Sequence, residues 1–114
     1  MRIEHSMIGN VHVLTPTGNL MGADALLAIV NEVAAAGPAK VVVYLGKISW
    51  INSVGYGGLI RARRTCDNSH GWLRLARPAE RIRETLPQIS ITTFPVFETV
   101  EEAVAADEAG YNRS

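Results

Sequence analysis

A chain of 114 residues, 47% hydrophobic and 19% charged, is long enough to bury one core and too apolar to be disordered. Its 11 basic and 11 acidic residues cancel, so no overall field draws it to nucleic acid or an anionic membrane. A single cysteine forbids an internal disulfide, no apolar run approaches the roughly 20 residues that span a bilayer, and the start Met1-Arg2-Ile3-Glu4-His5 has no apolar signal-peptide centre. The expectation is one cytoplasmic domain over residues 1–110 with a frayed tail over 111–114.

Residues 2–8 and 11–17 read as two strands joined by the Gly9-Asn10 turn, with Pro16 ending their pairing and residues 18–22 forming a loop. A helix over 23–36 follows, with Leu26, Ile29, Val30 and Val33 on one face, and Gly37-Pro38 stops it. Lys40 to Leu45 reads as a central strand, because apolar side chains on both faces require cover on both sides. A short connection then leads to a helix over 53–67, and residues 71–75 form a further strand. Pro78 opens a helix ending before Pro87, with Ile82 and Leu86 inward, and Ile89 to Thr92 form an edge strand. Thr99-Val100-Glu101-Glu102 is a capping box whose helix buries Val100, Ala103 and Val104. This order predicts an α/β sandwich on one mixed sheet with parallel central strands.

Chemistry concentrates between Trp50 and Ile60. Ser53 stands at the predicted helix start, where unpaired backbone N–H groups favour a capping hydroxyl and would also favour a phosphate added to it. Gly55, Gly57 and Gly58 each cost a helix about 1 kcal/mol relative to alanine, so they mark either close packing on the sheet or a bare surface that a partner approaches. Trp50 and Tyr56 read as packed side chains, with Tyr56 an alternative interface anchor. Arg61 and Arg64 share a helical face. The seven arginines between Arg61 and Arg83, and the five acids from Glu98 to Glu108, read as solvated faces or as a surface that steers a partner by charge. His5, His12 and His70 show no metal-ligand spacing, Cys66 reads as an inert thiol, and the glycines lack the lysine of a phosphate-binding loop. No cofactor, no metal and no enzymatic chemistry are expected.

The run Val41-Val42-Val43-Tyr44-Leu45-Gly46-Lys47-Ile48-Ser49-Trp50-Ile51-Asn52-Ser53-Val54-Gly55-Tyr56-Gly57-Gly58-Leu59 resembles the signature of STAS domains, the fold of bacterial anti-sigma factor antagonists. In that signature an apolar strand, a short turn and an aromatic residue lead to Asp-Ser-Ser/Thr-Gly-Leu-Gly opening a helix. Residues 72–79 and 97–103 are similar to later parts of the same family. The resemblance implies a STAS-like α/β fold, with a mixed four- to five-stranded sheet, parallel central strands and about four helices. It also implies a regulatory protein-binding module. Ser53 falls on the family's phosphorylated serine, and Gly55 and Gly57 on its signature glycines. The implied partner is an anti-sigma factor with a serine-kinase fold, released on phosphorylation. Asn52 stands where the family has aspartate, Val54 replaces a hydroxylated residue, and Met21 replaces an acid, so both carboxylates around the serine are missing. The implied partner surface comprises Met21, Asn52, Ser53, Val54, Gly55, Tyr56, Gly57, Arg61 and Arg64. STAS domains also serve as cytoplasmic accessory subunits of lipid-trafficking ATP-binding-cassette transporters, where the same face would dock on the ATPase, or as non-switching scaffolds.

Overall fold

The hairpin predicted around Gly9-Asn10 forms as strands β1 (Arg2–Ile8) and β2 (Val11–Leu20), antiparallel, with Gly9 in the left-handed region at φ 60°. The computed structural model describes residues 2–78 and 95–106. The helix expected from Pro78, with Ile82 and Leu86, the edge strand Ile89–Thr92 and the tail 111–114 lie outside the described residues.

Pro16 does not end the pairing. It lies buried opposite Ile3, Thr17 pairs with Arg2, and β2 continues through the segment expected to be a loop. Proline lacks only the N–H, so a strand can carry it where that donor is not used in the ladder. The continuation has its own partner. Residues 46–52 are not all connection, because Ile48–Ile51 form strand β4, parallel to Gly18–Leu20. Its four residues bury Ile48 and Ile51 and expose Ser49 and Trp50, a pattern without the alternation that marks a strand in sequence.

Between these, helix α1 (Asp24–Ala36) leads to β3 (Lys40–Tyr44), and helix α2 (Ser53–Asn68) leads to β5 (Trp72–Ala76). A two-residue strand β6 (Val96–Phe97), absent from the sequence reading, pairs with β5 and precedes helix α3 (Val100–Ala105). The sheet has six strands in the order β1-β2-β3-β5-β6, with β4 on β2, and every pairing except β1 with β2 is parallel. Three helices are present among the described residues. Thr99 caps α3 by accepting from the Glu102 N–H (3.0 Å), while the Glu102 carboxylate accepts from the Glu98 N–H (3.3 Å), one residue beyond the expected box.

The sheet is covered on both faces, as the apolar run of β3 requires. Val41 and Val43 join Leu14, Leu73 and Leu75 beneath α1 and α2, whereas Val42 joins Val11, Val13 and Trp72 beneath α3. Arg74 breaks the expectation of a solvated arginine. On the α3 face of β5 it is fully buried, with its guanidinium carbon 3.6 Å from the Trp72 ring centroid. Its Nη1 donates to the Ala103 carbonyl (2.8 Å), one of the carbonyls that the end of a helix leaves without an intrahelical donor.

Candidate surface at the start of helix α2

The end of β2, the end of β4 and the start of α2 meet at one edge of the sheet. Leu20 pairs with Ile51, and the Asn52 N–H donates to the Leu20 carbonyl (3.2 Å), which seats the helix start on the strand. Asn52 has extended backbone angles and accepts from the Gly55 N–H through Oδ1 (2.8 Å). It is therefore Asn52, not Ser53, that caps α2. An amide oxygen fills this role as well as a carboxylate does, so loss of the acid leaves the local geometry intact while removing its charge. Ser53 becomes the first helical residue, exposed.

The helix divides its residues by face. Gly55, Tyr56, Gly58, Leu59, Ala62 and Cys66 are buried. A methyl group on Gly55 would meet the Leu20 carbonyl, and one on Gly58 would meet the Ala23 methyl, so these two glycines let α2 lie directly on the β2–α1 connection. Gly57 differs. A side-chain carbon there would meet nothing within 4 Å. With Val54, Arg61 and Arg64 it forms a stripe at three- and four-residue spacing on the outer face, where Val54 and both arginines are exposed. Arg63, beside them, is partly covered and pairs with Asp67 at 3.6 Å.

Of the nine residues expected to meet a partner, Met21, Ser53, Val54, Arg61 and Arg64 are exposed, and Asn52 and Gly57 are half-buried. Two are not available. Gly55 lies under Leu20, and Tyr56, only 2% exposed, is a core side chain rather than an interface anchor. The reverse correction applies to Trp50, expected to be packed but 44% exposed. Trp50 pairs in register with Asn19, two residues before Met21, so β4 brings its backbone to this edge, while the pleat turns its side chain to the face opposite Ile51. Met21, Trp50 and Val54 are three of the five exposed large apolar side chains among the described residues. Beside Met21 a shallow cleft of about 330 Å³ is lined by Asn19, Gly22, Ala23 and Asp24. The exposure of Trp50 had no signal in the sequence, because it depends on β4.

Cys66 takes no part in this surface. Burial, with the Asp67 charge as a smaller influence, pushes its thiol up to about 12, which keeps it protonated and unreactive at neutral pH.

The STAS domain family profile matches residues 3–103, and the chain belongs to that family. Solved structures share the fold. The Thermotoga maritima protein TM1081 superposes with a TM-score of 0.81 at 18% identity, covering 100% of this chain and 91% of that one. The anti-sigma factor antagonist SpoIIAA of Bacillus, solved in both unphosphorylated and phosphorylated forms, gives 0.71 for the unphosphorylated form at 18% identity, covering 90% of this chain and 94% of that one. The murine anion transporter Slc26a9 matches at 0.67 and 15% identity, over 87% of this chain but 18% of its own. At these identities the likeness is one of fold. No functionally curated protein is similar enough to count as a relative. No helix among the described residues is long and apolar enough to cross a membrane.

Proposed function

We propose that this chain is a regulatory, non-enzymatic binding module of the anti-sigma factor antagonist kind, acting in the cytoplasm through the surface around Ser53. The observation that carries this reading is the exposed Ser53 hydroxyl, relieved of capping by Asn52 and flanked by exposed Met21 and Val54. Exposed apolar groups gathered at one place favour protein contact, and Arg61 and Arg64 extend the same face with positive charge. The partner is an anti-sigma factor with a serine-kinase fold. That partner would transfer the terminal phosphoryl group of ATP to Ser53 Oγ, releasing ADP and the hydroxyl proton. A phosphate brings nearly two negative charges and a hydration shell into an otherwise apolar contact, which would release the partner.

Asn52 and Met21 favour a second reading. Without either carboxylate the surface is more apolar and less suited to holding the partner's metal-bound nucleotide. It would then dock constitutively, on the ATPase of a membrane transporter or in a scaffold.

Binding of wild type, Ser53→Asp and Ser53→Ala to the purified kinase-fold anti-sigma factor of the same organism separates these, with Mg²⁺ and ATP added in a parallel arm. The antagonist reading expects tight binding by wild type and Ser53→Ala, at least tenfold weaker binding by Ser53→Asp, and phosphate on wild type alone. Equal binding by all three, with no phosphate, supports constitutive docking. Absence of binding by wild type removes this partner.

A further inference from the structure

At the other end of β2 the hairpin makes a contact that spacing in the sequence conceals. His5 and His12 are seven residues apart, yet the β1–β2 turn brings His5 Nε2 to 2.8 Å from His12 Nδ1, with ring centroids 5.0 Å apart. We propose that this pair is a surface site for a late first-row transition-metal ion, with Cu²⁺ bound most tightly.

Geometry, donor type and surroundings support this independently. Metal–imidazole bonds of about 2.0 Å at the right angle of a square-planar Cu²⁺ site place two nitrogens roughly 2.8 Å apart, so the rings turn their lone pairs towards the ion without moving apart from the observed contact. Both rings are accessible, His5 exposed and His12 half-buried. In the metal-free pair one ring N–H donates to the other ring's lone pair. To bind a metal, the donating ring moves that proton to its other nitrogen, a tautomer change with no net gain or loss of charge.

The pleat places Ile3, His5 and Met7 on one face of the hairpin with His12, Leu14 and Pro16. Glu4 stands on the opposite face, 3.7 Å from Lys47. The donor set is therefore imidazole without carboxylate, which disfavours Mg²⁺ and Ca²⁺. Among divalent first-row ions the affinity order at such an imidazole site places Cu²⁺ highest. The remaining coordination positions are open to water or to a group from another molecule. From His12 to Leu20 the strand runs roughly 26 Å, so the site lies far from Ser53 and stands or falls separately from it.

The chain has three histidines, and the third, His70, lies at the end of α2, which provides an internal control. Cu²⁺ is titrated into wild type, His5→Ala, His12→Ala and His70→Ala, with calorimetry for affinity and electron paramagnetic resonance for bound nitrogen. Proton NMR of the wild-type rings at substoichiometric Cu²⁺ covers the case in which a variant fails to fold. The expected result is one ion per chain, affinity at least tenfold lower in His5→Ala and in His12→Ala, unchanged affinity in His70→Ala, and selective broadening of the His5 and His12 rings. Equal affinity in all four proteins, or first broadening of His70, overturns the site.

Discussion

Helix α2 carries two faces built on opposite rules, and its glycines divide between them. On the inner face Gly55 and Gly58 lie against Leu20 and Ala23 with no room for a methyl group. On the outer face Gly57 looks into open space between Val54 and Arg61. Identical residues a few positions apart thus have different causes. The inner pair is required by packing, whereas packing places no demand on Gly57, and its smallness there suits a partner that approaches the backbone closely. One sequence feature carried two explanations: packing accounts for Gly55 and Gly58, and at Gly57 the approach of a partner is our proposal.

The contrast is broken most directly by substituting both faces. Gly55→Ala is expected to lose about 2 kcal/mol, because overpacking against backbone outweighs the gain in helix propensity. Urea denaturation measures it, and a stabilised variant would remove the close-packing account. Asn52→Ala removes the cap and should cost about 1 kcal/mol; an unchanged midpoint would mean that Asn52 does not hold the helix start. Gly57→Ala should move the other way, gaining about 0.8 kcal/mol from propensity alone, while weakening the partner complex. A gain in stability with undiminished partner binding would leave Gly57 without a functional reason.

Two pH effects lie outside this contrast. The Cys66 thiol is held neutral in the folded state and ionises more readily in the unfolded one, from its ordinary value of 9.0. Its contribution is fully present below pH 9 and is lost as pH rises through that value towards about 12, so the denaturation midpoint should fall across this range in wild type but not in Cys66→Ala. His12 has the opposite sense. Its lowered pKa favours the neutral ring in the fold, so stability is full above about 6.5 and declines as pH falls below it. Comparison with His12→Gln isolates this small effect, and a parallel decline in that variant would assign it to other groups.

Much of the fold was legible where a pattern is long and local. The 3.6-residue spacing of Leu26, Val30 and Val33, the five-residue apolar run of β3 and the Gly9 turn each depend on neighbours along the chain, and each element formed close to its expected bounds. β4 and β6 were not legible, because strands of four and two residues are stabilised by the strand beside them rather than by their own alternation. Arg74 belongs with them. In sequence it is one of the seven arginines between Arg61 and Arg83, and only the approach of α3 to β5 makes it a buried cation on Trp72.

The candidate surface shows the same division. The run from Trp50 to Leu59 by itself determined the family, the helix start and the place of Ser53, since these follow from residue types at fixed local spacing. Tertiary structure decided which of those residues a partner can touch. It gave the cap to Asn52, exposed Trp50, buried Tyr56, separated Gly57 from Gly55 and Gly58, and brought His5 to His12. Spacing along a chain specifies periodicity, but exposure and long-range proximity arise only when one element is laid against another.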